Sequence, residues 1–208
     1  DTSMVLGEKE EVIYGKGYIE DELCGMMFRI SPKSFYQVNP AQTRILYDKA
    51  MEYARLTGKE TVLDAYCGTG TIGMIASRQA AKVLGVELNK EAVRDAISNA
   101  KYNQVSNIRF YQRDAGEFLL QMAENQEKLD VLLMDPPRSG SSEAFLKAVT
   151  KIRPRRIVYV SCNPETLAAD LKILVKSGYK TEKCVAVDMF PYTDGIEAVV
   201  ALSLSSYH

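Results

Sequence analysis

Histidine is nearly missing from this chain and tryptophan is missing altogether; the one histidine is His208, the last residue. Imidazole acid–base chemistry is therefore nearly excluded, and a general base has to be a carboxylate, a lysine, a tyrosine or a cysteine. The cysteines, Cys24, Cys67, Cys162 and Cys184, form no C-x-x-C pair and have no histidine near them. That spacing argues against zinc or an iron–sulfur cluster within this segment, so no metal is expected. It also lacks the density of a disulfide scaffold, and a reducing, cytoplasmic setting follows as the expectation. No apolar run approaches the length of a membrane-crossing helix and no signal-peptide pattern is present, so no membrane partner is expected. Charge of one sign is lacking too. Lys plus Arg number 26 against 27 Asp plus Glu, a net charge of −1, which makes no global case for nucleic acid, although a local patch could suffice.

What is present is an ordinary globular composition, 46% hydrophobic and 25% charged over 208 residues, enough for one full domain and an appendage. Residues 1–10 are polar and without periodicity. Between residues 11 and 30 two strand-like runs, 12–15 and 26–30, flank Glu20-Asp21-Glu22, which reads as a hairpin loop. This looks like the end of a β element whose beginning is missing. Residues 1–32 are therefore expected to be the remnant of an N-terminal module, residues 33–208 the main domain, and the chain a fragment of a longer protein. Asn39 followed by Pro40 opens a helix carrying Ile45, Leu46, Ala50, Met51 and Ala54 at helical spacing, with Gly58 ending it.

From there strands and helices alternate. Candidate strands are 61–66, 82–87, 107–112, 129–134, 156–161, 180–188 and 196–204; candidate helices are 72–80, 90–103, 115–125, 142–151 and 164–177. The pattern predicts a doubly wound, Rossmann-like α/β fold with a mostly parallel sheet. The last two strands have no helix between them, so an antiparallel hairpin is expected to close one edge.

Four stretches carry chemistry. Asp64-Ala65-Tyr66-Cys67-Gly68-Thr69-Gly70-Thr71-Ile72-Gly73 runs from a strand through G-x-G-x-x-G into a helix, and Glu87 ends the next strand about twenty residues on. Such glycines let backbone turn tightly against a ligand, and the acid meets ribose hydroxyls in Rossmann-type sites. NAD and S-adenosylmethionine (SAM) both use this layout. An acid such as Asp64, one strand earlier, would sit poorly beside a pyrophosphate but suits a sulfonium and an amine, and no dehydrogenase-type histidine is available; SAM is preferred. Asp114, ending the third strand, can meet the adenine amino group or cap a helix, or both. Asp135-Pro136-Pro137-Arg138 follows a buried strand, its prolines fixing a rigid turn that holds Asp135 at the carboxyl edge of the sheet, where ligands bind. Arg138 stands where amine methyltransferases place a stacking aromatic, which argues against amine methylation.

The remaining stretches are Ser161-Cys162-Asn163-Pro164 and the run from Phe190 to Glu197. Cys162 sits at a strand-to-helix corner where a helix dipole can lower a thiol's pKa and make it a nucleophile; the alternative is a small buried hydrophobe. Glu197 enters an apolar strand, either as an edge charge that discourages aggregation or as a general base with a raised pKa. The cluster Lys151, Arg153, Arg155 and Arg156 precedes the strand whose other end carries Cys162, so it is read as solvated surface rather than an RNA patch.

Together with Ser34-Phe35-Tyr36-Gln37-Val38-Asn39, these motifs, in this order, closely resemble the RNA uracil-C5 methyltransferases that make 5-methyluridine in ribosomal or transfer RNA. The resemblance implies a SAM pocket formed by Gln37, Tyr66, Thr71, Glu87, Asp114 and Asp135, beside the glycine loop with Gly68 and Gly70. It implies Cys162 as nucleophile on C6 of the base, Glu197 as proton acceptor, and Asp135 as a group that orients the base or steadies Cys162. It also implies an RNA substrate, with ribosomal RNA expected ahead of transfer RNA, a base splayed out of a loop, and a monomer. Two positions depart from the family pattern: Tyr192 stands where the family usually has His or Gln, and Gly195 where it usually has His.

Overall fold

The computed structural model describes residues 11–205, apart from Lys33, Val38 and Asp194. Residues 1–10, read above as polar and without periodicity, and the terminal His208 lie outside the described residues.

The chain opens with a two-stranded antiparallel sheet, β1 (Ile19–Leu23) and β2 (Met26–Ile30). This corrects the expectation for this region: residues 12–15 are not a strand, and Glu20-Asp21-Glu22 is not the loop but the body of β1. The turn falls instead at Cys24 and Gly25, both at positive φ (52° and 70°), as a two-residue hairpin requires. Glu20 and Glu22 lie on the outer face, where Glu20 pairs with Arg29 across the strands at 3.0 Å, while Asp21, opposite Phe28, is half-buried on the other face. The inner face, with Leu23, Met26, Phe28 and Ile30, joins the main core.

Helix α1 (Pro40–Ala54) begins at an Asn39 cap and is followed by β3 (Thr61–Ala65), α2 (Thr71–Ser77), β4 (Lys82–Glu87), α3 (Lys90–Tyr102) and β5 (Ile108–Gln112). Then come α4 (Ala115–Glu124), β6 (Val131–Met134), α5 (Glu143–Ile152), β7 (Arg156–Ser161), α6 (Pro164–Lys176), β8 (Tyr179–Val187) and β9 (Glu197–Leu204). The doubly wound α/β expectation holds. The sheet order is β5-β4-β3-β6-β7-β9-β8, with β3 to β7 parallel and β9 antiparallel to both of its neighbours.

The central strands are apolar along their length because both faces are covered. Val62, Val131, Leu133, Val158, Val160 and Val199 face α1, α2 and the hairpin; Leu63, Leu132, Met134, Ile157, Tyr159 and Val200 face α4, α5 and α6. The period of two along each strand thus splits the core into two layers. The edge hairpin also holds, but β9 lies inside it, between β7 and β8, and β8 takes the edge with exposed Lys180, Glu182 and Lys183. The winding reverses between β3 and β6. A crevice opens there beyond the carboxyl ends of the strands.

Candidate active site

Glycine permits the loop after β3, though for different reasons at each position. Gly68 has φ +52° and open space where a Cβ would stand. Its N–H donates to Glu87 Oε2 at 3.1 Å, while Glu87 Oε1 accepts from Asn89 N at 2.8 Å, so the acid at the end of β4 anchors this loop. Gly70 (φ +82°) is needed for packing: a Cβ there would sit 2.6 Å from the Phe110 ring, and Gly70 is not part of the cavity wall. Asp64, buried in β3, accepts from Gly73 N at 2.8 Å, and Thr71 Oγ1 lies 3.2 Å from Thr69 Oγ1. Tyr66 holds a left-handed φ of 62°, costly for a residue with a side chain, and its ring leans on Phe145 at 5.1 Å.

Opposite the glycine loop lie Ser31, Pro32 and residues 34–37, a strap pinned at both ends. Asp95 on α3 accepts from Ser31 N (3.0 Å), Ser31 Oγ (2.7 Å) and Ser34 Oγ (2.8 Å). At the far end Asn39 caps α1 through Gln42 N and donates from Nδ2 to the Met189 carbonyl at 3.0 Å. Between them Gln37 is buried and Phe35 is exposed. Gln37, Tyr66, Gly68 and Asp135 line both a small recess of about 50 Å³, shared with Asp64 and Thr71, and the adjoining cavity of about 530 Å³.

Glu87, Asp135, Arg138, Cys162 and Glu197 complete the wall of the larger cavity. Strand register brings them there. Met134 pairs with Tyr159, so Asp135 and Cys162 leave neighbouring parallel strands on the same edge; Ser161 pairs with Ala198, so Cys162 and Glu197 follow on across the antiparallel pair. Asn163 then caps α6, accepting from Glu165 N at 3.0 Å. Of the expected site residues only Asp114 and Gly70 stay apart. Asp114 is exposed and caps α4 through Glu117 N at 3.0 Å, the second of the two roles foreseen for it.

The electrostatics are those of crowded carboxylates. Burial, with the charges of Glu197 and Asp64, pushes Asp135 up to about 8. Burial pushes Asp64 up to about 7 against the Gly73 N–H, with Glu87 adding to the rise. Glu197 is 5% exposed, its Oε2 has no hydrogen-bond partner, and burial lifts it to about 7 against the opposing pull of Arg138. It lies in an interior strand, which removes the edge-charge reading. The thiol of Cys162 is raised, by burial first and then by Glu197 and Asp135, with Arg138 opposing. The expected lowering by the helix dipole is thus outweighed, by burial first and by the two neighbouring acids after it.

Tyr192, at one of the departures from the family pattern, is fully exposed at φ +70°, and Gly195 N donates to Thr193 Oγ1 at 3.1 Å. The basic cluster at the start of β7 is engaged with acids, Arg155 with Glu60 at 2.8 Å and Lys151 with Glu124 at 3.6 Å, at the strand end remote from Cys162.

A family model described as tRNA (uracil-5-)-methyltransferase matches residues 4–205. The chain belongs to this family. The resemblance read from the motifs is borne out by that match and by relatives named as RNA methyltransferases. A protein of Halalkalibacterium halodurans named an uncharacterized RNA methyltransferase is 47% identical over 205 residues, 99% of this chain and 45% of the relative. One of the same description from Caldanaerobacter subterraneus is 51% identical over 198 residues, 95% of this chain and 44% of the relative. The family member spans a little under half the length of these relatives. Among solved structures, the Pyrococcus abyssi tRNA (uracil-54, C5)-methyltransferase in complex with S-adenosyl-L-homocysteine superposes with a TM-score of 0.79 at 35% identity, covering 91% of this chain and 45% of that one. A Geobacter metallireducens precorrin-6y C5,15-methyltransferase, at 17% identity and a TM-score of 0.67, shares the fold alone. Among the described residues no helix is long and apolar enough to cross a membrane, and no cluster of His, Cys, Asp or Glu could hold a metal ion.

Sequence reasoning missed Asp95, which holds the strap, and Asp170, which lies behind the Cys162 corner. Asp170 did leave a signal: it interrupts the apolar stripe of α6 between Leu167 and Leu174.

Proposed function

We propose that this chain carries out SAM-dependent methylation of uracil C5 in RNA through a covalent Cys162–C6 adduct. The observation that carries the reading is the convergence of Cys162, Glu197 and Asp135 on one cavity whose other wall is the glycine loop and Glu87. The residues suit a cationic donor. Acids face the recess and the cavity, those at Asp64 and Asp135 are held up in pKa by burial and by neighbouring acids, and Gly68 leaves room for close approach. Gln37, Tyr66, Thr71, Glu87 and Asp135 would hold the donor, with Asp114 at the adenine end. When bound, SAM supplies an electrophilic methyl group on a sulfonium.

Cys162 solves the problem that uracil C5 is too weak a nucleophile. Its thiolate adds to C6, forming the S–C6 bond, and the C5=C6 electron pair moves out toward O4 as an enolate that makes C5 nucleophilic. After C5 has gained its methyl group, Glu197 takes the C5 proton. The C–H electron pair re-forms C5=C6 and expels the thiolate. Asp135, protonated near neutral pH, steadies the base edge or the thiol. Arg138 pulls Cys162 toward its thiolate against the two acids.

Within this reading residues 33–208 are the methyl-transferring unit, residues 1–32 end a β module before it, and the reaction belongs in the cytoplasm with its RNA. Ribosomal RNA is the substrate expected from the sequence. Transfer RNA is the second reading, favoured by the substrate named for the Pyrococcus enzyme. Labelled-SAM transfer to ribosomal and transfer RNA transcripts, followed by nucleoside analysis, decides between them; a product other than 5-methyluridine overturns the proposal. RNA carrying 5-fluorouridine should trap a covalent complex that needs Cys162 and SAM. A Cys162→Ala protein that methylates at the wild-type rate would remove the nucleophile.

A further inference from the structure

The buried carboxylate of Asp170 has no part in the chemistry above. It is 6% exposed on the inner stripe of α6. A carboxylate in that position is costly unless its oxygens are satisfied. Both donors that reach it, Tyr159 Oη at 2.7 Å and Ser141 N at 2.9 Å, fall on the same oxygen, Oδ2, and neither is a cation. They come from different elements. Tyr159 belongs to β7, two residues before its end; Ser141 lies in the loop that begins with Asp135.

The same loop is tied to α6 a second time. The Arg138 carbonyl accepts from Asn163 Nδ2 at 3.0 Å and from Thr166 Oγ1 at 3.3 Å. Between the two ties the loop closes on itself, Gly140 N donating to the Pro137 carbonyl at 2.8 Å. Gly140 has φ +77° and approaches α6 so closely that a Cβ would stand 3.0 Å from Thr166 Cβ. Two hydrogen-bonded ties and a close approach therefore lock the Asp135 corner onto the helix whose entry carries Cys162.

We propose that Asp170 is a positioning residue that fixes the Asp135-Pro136-Pro137-Arg138 corner against the Cys162 corner, and so sets the thiol, Asp135 and Arg138 for attack on the base. The proposal rests on the reading of Cys162 as nucleophile. A misplacement of about 1 Å between reacting groups can cost on the order of a hundredfold in rate. Because one oxygen takes both donors, an asparagine whose carbonyl occupies that place keeps both hydrogen bonds, whereas alanine keeps neither.

The test is the rate of covalent adduct formation on 5-fluorouridine RNA in the intact protein, beside S-adenosylhomocysteine affinity and thermal melting. Asp170→Ala is expected to slow adduct formation about tenfold or more with affinity within about twofold. Asp170→Asn is expected to recover the rate to within about threefold of wild type, and Tyr159→Phe, which leaves the Ser141 bond, to stay in the same range. An Asp170→Ala protein that melts cooperatively and forms adduct at the wild-type rate overturns the proposal. So does one whose rate and S-adenosylhomocysteine affinity fall together, since that marks a general loosening. If Asp170→Ala does not fold, Thr166→Val removes one of the two donors of the second tie; a slowing of about threefold supports the proposal and none refutes it. If the wild type itself forms no adduct, the nucleophile reading falls and takes this proposal with it; if only the variants match a reactive wild type, positioning alone falls.

Discussion

Replacing Glu197 with glutamine removes the proposed proton acceptor and a buried charge at once, and the two consequences run in opposite directions. Glu197 lies in the interior strand β9 with Oε2 unpartnered. A carboxyl moved from an ordinary 4.5 to about 7 carries up to ~3 kcal/mol of charge penalty, at ~1.4 kcal/mol for each tenfold. The sign follows from linkage. In the unfolded chain the group ionises near its ordinary value, in the fold only near about 7, so the fold is favoured while both forms are protonated. That advantage is lost as pH rises through the interval and is gone above the upper value. The glutamine variant has nothing to lose over this range. It also lifts one charge from Asp135, which Glu197 helps to push up. The new amide brings its own unpartnered donors, at a cost of about 1–2 kcal/mol that does not change with pH. The informative quantity is therefore the change with pH of the stability difference between variant and wild type, measured by urea unfolding at about pH 5 and about pH 8. It should move in favour of the variant by about 1–3 kcal/mol. Over the same range turnover should fall by about a hundredfold or more, with the methylated Cys162 adduct accumulating on ordinary uridine RNA. A stability difference flat in pH would refute the buried-charge argument. Turnover within about tenfold of wild type would refute the base.

Other perturbations separate roles that the sequence pattern runs together. Gly70→Ala should destabilise the protein by about 1–3 kcal/mol, because its Cβ would meet the Phe110 ring, whereas Gly68→Ala should cost about 1 kcal/mol and chiefly weaken S-adenosylhomocysteine binding; equal melting shifts would contradict this. Asp95→Ala frees the strap that carries Gln37 and should weaken S-adenosylhomocysteine about fivefold or more by calorimetry, with unchanged affinity counting against the strap. Alkylation of Cys162 by iodoacetamide in the ligand-free protein should be slow at neutral pH, rise with alkalinity, and slow further in Arg138→Ala; fast reaction at neutral pH would show a thiol lowered rather than raised.

The alternation of apolar runs with capped helices was enough to read the doubly wound sheet, since Asn39, Asn163 and the β-branched strands declare themselves locally. Strand order beyond β7 was not, because β9 reaches its place by pairing with residues far away in sequence, and that pairing is what buries Glu197. The β1–β2 turn was misplaced because three consecutive acids look like a loop until Arg29 is seen opposite Glu20. The Cys162 thiol is raised first by burial and then by two acids from other strands, and neither its burial nor those acids can be read beside it in sequence. Asn99 shows the same limit: it is fully buried, bonds both the N–H and the carbonyl of Arg29, and nothing beside it in sequence marks it as an interior group.

The place of β9 has a consequence for the order in which this sheet can be assembled during synthesis. The glycine loop, Glu87 and the Asp135 corner, which form one side of the cavity, follow β3, β4 and β6, all of which precede residue 135. β8 leaves the ribosome before β9 yet has no partner in the sheet until β9 has paired with β7. Until β9 is in place, β7 offers an open, apolar edge and Glu197 is absent from the cavity wall. An unpaired strand of this kind is a template for the wrong partner. A chain ending before Glu197 would lack both one wall of the cavity and the strand that seals this edge of the sheet.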